Sequence, residues 1–125
     1  MRATLSNYRQ APRKVRLVGD MIKGENVERA LALLAHLPRR ASDMYITLIK
    51  SALANAKQNH KVADTSALIV KQVRVDKGIV LKRRMPRARG SAFPIMKHNS
   101  HIVIEIGEPY TKAKDAKKAV KKEAK

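Results

Sequence analysis

A chain of 125 residues has room for one domain, and its 28 Lys and Arg against 10 Asp and Glu leave a formal net charge of +18. So large a charge destabilises an isolated compact state and favours a polyanionic partner. With no Cys and no Trp there is no disulfide scaffold, thiol nucleophile or Cys-based zinc site; no run approaches signal-peptide length or the roughly 18 apolar residues of a membrane span, which predicts a soluble, cytosolic protein.

The first element is a short strand from Thr4 to Arg9. Pro12 then suits the first position of a helix in which Val15, Val18 and Ile22 share one face, while Arg13, Arg16, Asp20 and Lys23 fall on another. Gly24 ends that helix. Asn26 caps a second, where Val27, Ala30, Leu31 and Leu34 follow the i, i+3, i+4, i+7 pattern until Pro38 stops it. The third and longest helix runs from about Arg40 to Asn59 and carries a stripe of Ala41, Tyr45, Leu48, Ala52 and Ala56, whose small residues let another element approach closely.

The remainder changes character. Leu68 to Val75 and Ile79 to Leu81 are rich in branched residues and read as two strands, and His101 to Ile106 alternates with Ile102, Ile104 and Ile106 on one face. Helices and strands are segregated along the chain, so the fold class is α+β. The domain extends over residues 1–109. From Tyr110 onward Lys and Ala dominate, giving a basic tail over 110–125 with nothing in it to pack.

Between Asp76 and Glu105 the chain has no acidic residue, yet it holds Lys77, Lys82, Arg83, Arg84, Arg87, Arg89 and Lys97. Flanked by strands and punctuated by Pro86, Gly90 and Pro94, this stretch predicts a long basic β-hairpin over about residues 76–104 with its tip near Gly90. At about 3.3 Å per residue its tip would stand roughly 45 Å from the base. The competing reading is a solvated disordered loop, but such loops do not normally exclude acids this completely.

The charge, its position and its residue types point to folded RNA. Arginine at 83, 84, 87 and 89 supplies planar guanidinium groups for bidentate phosphate contacts. Aromatic residues make up only 3% of the chain, too few for a platform that reads single-stranded bases by stacking, so shape and backbone contacts dominate. Arg9, Arg13, Lys14 and Arg16 surround the start of the first helix, where phosphate is favoured, and Arg39 and Arg40 stand at the start of the third. His98 and His101, three apart in a strand-like segment, fall on opposite faces; without Cys or a nearby acid they suit hydrogen bonding to RNA beside Asn99 better than a metal, and no cofactor is expected. Gly19 and Gly24 have the spacing of a phosphate-cradling loop, but Glu25 and Asn26 follow where Lys and Ser or Thr are required. The carboxylates are scattered and form no acid/base pair or nucleophile triad, so an enzyme is not indicated.

Three segments together resemble the bacterial-type members of ribosomal large-subunit protein family twenty-two. They are Pro12-Arg13-Lys14-Val15-Arg16-Leu17-Val18, then Ser51-Ala52-Leu53-Ala54-Asn55-Ala56, then Leu81-Lys82-Arg83 with Met85-Pro86-Arg87-Ala88-Arg89-Gly90 through Ser100-His101-Ile102. The likeness covers about Leu5 to Ile106. It departs from the family at Ala11 for a capping Ser, Ile79 for a Pro after Gly78, Ser91 for a basic residue, and His98-Asn99 for Arg-Thr. The resemblance implies three helices packed on a small antiparallel sheet, seated near the mouth of the peptide exit tunnel and contacting 23S-type rRNA during subunit assembly. It implies further that the hairpin tip, Met85, Pro86, Arg87, Ala88, Arg89, Gly90, Ser91 and Ala92, lines the tunnel, next to the tunnel protein of family four and the passing nascent peptide. Neither a membrane nor a homo-oligomer is part of that picture. A freestanding RNA chaperone or nucleoid-type protein is the alternative, though it has no need of a Pro- and Gly-punctuated ribbon on a specific domain.

Overall fold

The computed structural model describes residues 1–60 and 67–108, so the tail from Tyr110 and the boundary at 109 lie outside the described residues. In chain order the elements are β1 (Arg2–Tyr8), α1 (Pro12–Ile22), α2 (Val27–His36), α3 (Arg40–His60), β2 (Ile69–Pro86), a 3-10 turn (Ala88–Gly90) and β3 (Ala92–Gly107). This is the α+β arrangement expected from the sequence. The sheet has the order β1-β3-β2, antiparallel throughout, which puts β3 in the centre.

Each helix forms where its apolar period lies. α1 starts with Pro12 in its first turn behind Ala11, which offers no side-chain cap, and it buries Val15, Val18 and Ile22. Beyond its C-cap, Gly24 takes a φ of +85°, a left-handed position that glycine adopts without a Cβ clash. Asn26 caps α2 by accepting the Glu28 N–H at 2.9 Å. α3 buries Ala41, Tyr45, Leu48, Ala52 and Ala56, the stripe read from the sequence, together with Ser42 and Ile49.

These faces meet the sheet through Ile102, Ile104 and Ile106, which are buried on the helix-facing side of β3. Removing each of these side chains from water stabilises the fold by about 1.5–3 kcal/mol. The first strand begins at Arg2 because the terminus is tied in: the Ile106 N–H donates to the Met1 carbonyl at 2.8 Å, and the Met1 amine donates to the Ile106 carbonyl at 2.7 Å.

One expectation is corrected. The two predicted strands, Leu68 to Val75 and Ile79 to Leu81, are one strand of 18 residues. Lys77 and Gly78 look like an interruption because they are not branched, but the pairing with β3 absorbs them. Lys77 pairs with Ser100 and Val80 with His98, so Gly78 and Ile79 bulge opposite Asn99 and the ladder continues to Pro86↔Ala92. Burial ceases at the same level. Past Lys77 on one strand and before Ser100 on the other, the paired strands leave the domain as a ribbon, with only Gly78, Val80, His98 and Asn99 less than exposed.

Candidate nucleic-acid interface

The ribbon root, the start of α1 and the start of α3 meet at one corner of the domain. One groove there, about 390 Å³, is lined by Arg9, Gln10, Ala11, Lys14, Arg40, Met96, Lys97 and His98. A second, about 260 Å³, is lined by Ala11, Pro12, Arg13, Arg16, Lys77 and His98. Ala11 and His98 belong to both, so the two grooves adjoin and together make up one trough. Its cations come from four separate stretches of chain. Among the described residues the ion pairs are Arg29 with Glu25 and Arg74 with Asp76, and neither involves a trough residue. Cations gathered without carboxylates repel one another until an anion enters between them.

The corner is tied together by polar contacts to the main chain. Tyr8 Oη donates to the Arg40 carbonyl at 3.1 Å and Ser100 Oγ to the Gln10 carbonyl at 3.0 Å, so the loop after β1 is pinned to α3 and to β3. Burial raises the Tyr8 hydroxyl above the usual tyrosine range, opposed by the Arg40 charge and reinforced by Asp43.

Beyond the corner, cross-strand partners share a face of the ribbon. The pairs Val80↔His98, Lys82↔Met96 and Arg84↔Pro94 continue the helix side of the sheet, which extends the trough outward through Lys82 and Arg84. The pairs Leu81↔Lys97, Arg83↔Ile95 and Met85↔Phe93 form the other face. There Leu81, Met85, Phe93 and Ile95 are exposed large apolar side chains, a mixed character that the count of cations in the sequence did not disclose. Because β-alternation past Gly78 depends on the bulge there, the division of the ribbon into a basic and a mixed face is not legible in the sequence.

At the tip the Ser91 N–H donates to the Ala88 carbonyl at 3.3 Å, and the Arg87 N–H to the Ser91 carbonyl at 2.9 Å. The two residues between, Arg89 and Gly90, have φ of +57° and +72°. Consecutive positive φ values in an i to i+3 turn are the geometry that matches the twist of paired strands. Gly90 adopts it freely, whereas Arg89 does so at a cost of about 1–2 kcal/mol. Arg87 lies over the Phe93 ring at 5.7 Å to its centroid.

The candidates therefore separate into groups. Arg9, Lys14, Arg40 and His98 line one groove, with Lys97 at its edge on the strand position that belongs to the other ribbon face, and Arg13, Arg16 and Lys77 line the second groove; Lys82 and Arg84 extend this surface. Arg83 is on the opposite face, with Nη1 donating to the Lys82 carbonyl at 2.9 Å, while Arg87 and Arg89 occupy the tip. Arg39 is exposed just ahead of α3 and outside both grooves. Two candidates are partly engaged within the protein. Arg16 directs Nε and Nη2 at the Val75 carbonyl, at 3.1 and 2.8 Å, and so holds the outer edge of β2. His101, with Asn99 nearby, lies on the open face, and its Nδ1 accepts the Asn7 N–H at 3.1 Å. Gln10 and Met96 line the trough without having been singled out, because neither carries charge and their place depends on tertiary packing.

A sequence model of the family described as ribosomal protein L22p/L17e matches residues 3–107. The chain is 46% identical over 107 residues to the large ribosomal subunit protein uL22 of Herpetosiphon aurantiacus, covering 86% of this chain and 94% of that one. It is 48% identical over 105 residues to the protein of the same name from an Anaeromyxobacter species, covering 84% and 73% of the two chains. A third relative so named, from Lactobacillus delbrueckii subsp. bulgaricus, is 45% identical over 107 residues, covering 86% and 91%. A match that spans residues 3–107, from the first strand through the ribbon to the end of β3, places the chain in the ribosomal protein L22p/L17e family.

Proposed function

We propose that the protein binds large-subunit rRNA through the trough at the root of the ribbon, and that the ribbon extends from this anchor into the peptide exit tunnel. As a member of a ribosomal protein family it is a structural constituent of the large subunit in the cytoplasmic ribosome, not an enzyme. The observation that carries the rRNA reading is the convergence of Arg9, Lys14, Arg40 and His98, from three stretches of chain, on one groove without a carboxylate among its lining residues. Such a surface follows an irregular phosphate path that a simple duplex does not present.

Further elements of the proposal are the tunnel protein of family four and the nascent peptide as neighbours of residues 85–92. A freestanding RNA chaperone would use the same charge without a fixed site. Replacing Arg9, Lys14 and Arg40 together by Gln tests the reading. If all three make phosphate contacts, the slope of log K against log salt for large-subunit rRNA becomes shallower by about 2–3 units. In a lysate, the unaltered protein is expected almost wholly in large-subunit fractions. An unchanged slope, or a protein spread through the soluble fractions, contradicts the proposal.

A further inference from the structure

At the level where the ribbon leaves the domain, irregularities on both outer strands meet the same stretch of the central strand. On β1, Leu5 pairs with Ile102 and Tyr8 with Ser100, so Ser6 and Asn7 bulge opposite His101, and Asn7 has a φ of +59°. On β2, Gly78 and Ile79 bulge opposite Asn99. Bulges bend a strand and increase its twist, so this is where the direction of the ribbon relative to the domain is set. One side chain touches both irregularities. His101 Nδ1 accepts the N–H of Asn7 at 3.1 Å, and a Cβ added at Gly78 would stand 3.1 Å from His101 Nε2 and 3.2 Å from the Asn99 carbonyl oxygen.

We propose that His101 is a positioning residue that fixes the angle of the ribbon by joining the β1 bulge to the β2 bulge across the open face of the sheet. The chemistry is specific. The imidazole gives the Asn7 N–H the acceptor that the β1 bulge denies it within the ladder. To do so Nδ1 must present its lone pair, so in the neutral ring the proton sits on Nε2. That edge of the ring lies against Gly78, where the missing side chain lets it approach. Angle matters because the ribbon is a long lever. From Gly78 to Gly90 it spans roughly 40 Å, so a rotation of about 10° at its root carries the tip about 7 Å. The role differs from the RNA contact expected for His101 from the sequence, and it does not depend on the rRNA reading.

The test uses isotopically labelled full-length protein in solution without RNA, so that its outcome is separate from that of the rRNA experiment. In the unaltered protein, nitrogen couplings of the His101 ring are expected to show the proton on Nε2. In His101→Ala, the Asn7 amide should exchange at least tenfold faster, and residual dipolar couplings of Val80 to Lys82 and Lys97 to His98 should rotate relative to those of Ile102 to Ile106. His101→Asn, whose Oδ1 stands near the position of Nδ1, should restore both the protection and the direction, a rescue that mere bulk would not give. His101→Phe keeps the bulk of the ring but offers the Asn7 N–H no acceptor, and it should also free that amide and rotate the ribbon; it decides the question should His101→Ala not fold. A proton on Nδ1, or a ribbon whose couplings are unmoved in the variants that fold, overturns the proposal.

Discussion

A Cβ placed on Gly19 would stand 2.8 Å from the hydroxyl oxygen of Tyr45 and 2.9 Å from Cγ1 of Val73, so α1 approaches α3 and β2 at a distance only glycine permits. Alanine ordinarily stabilises a helix interior by about 1 kcal/mol relative to glycine. Here the two contacts reverse that preference. Gly19→Ala is expected to destabilise the protein by about 1–2 kcal/mol through overpacking, and the midpoint of urea unfolding checks the sign. Increased stability would show that the ring of Tyr45 can move aside.

Tyr45 gives a prediction with a definite pH dependence. Its hydroxyl donates to the Val15 carbonyl at 3.2 Å, and burial, with smaller contributions from Asp20 and Tyr8, holds it well above the ordinary tyrosine range. Below pH ~10 the folded and unfolded states both keep the proton. Above that, the unfolded chain releases it first and binds fewer protons, so the stability that Tyr45 contributes falls as pH rises. Tyr45→Phe should cost about 1 kcal/mol near neutrality through the lost hydrogen bond. The difference between the two proteins should narrow above pH ~10, as followed by denaturant unfolding at a series of pH values.

Ala52 is fully buried in the middle of α3. Ala52→Leu adds three carbons at a position with no exposed surface, with an expected loss of about 1–3 kcal/mol. Thermal unfolding provides the comparison, and a variant as stable as the parent would mean that the helix is not closely packed there.

Replacing Arg83, Arg84, Arg87 and Arg89 with Gln separates the ribbon from the trough. If all four meet phosphate, the salt slope of rRNA binding becomes shallower by about 3–4 units. The variant should nonetheless enter the large subunit, since Arg9, Lys14 and Arg40 remain. Arg83 and Arg84 lie on opposite faces, so the single variants Arg83→Gln and Arg84→Gln tell which face meets the backbone, the helix-side Arg84 being expected to have the larger effect.

Hydrogen exchange of the free protein should divide along the same boundary. Between Arg83 and Lys97 every residue is exposed, so the ladder there has no core to support it and its cations repel. Amides in this stretch are expected to exchange much faster than those of Ile102 to Ile106 or the middle of α3. Equal protection in the two regions would mean that the ribbon packs against something in the absence of RNA.

Much of this architecture is readable in one dimension because its causes are local. The faces of α1 and α3 follow from a period of 3.6, the alternation of Ile102, Ile104 and Ile106 from a period of 2, and the turn near Gly90 from a residue free to adopt positive φ. The absence of acids between Asp76 and Glu105 likewise marks a charged extension in the sequence alone. What the tertiary structure alone decided is how individual side chains are used. Arg16 is turned toward a carbonyl 59 residues away, and His101 toward an amide 94 residues away. Both looked like free RNA ligands because a basic side chain carries no mark of the backbone group it will meet. The same holds for the bulge at Gly78: whether an extra residue ends a strand or is absorbed depends on the partner strand, and that sets which face of the ribbon every later residue occupies.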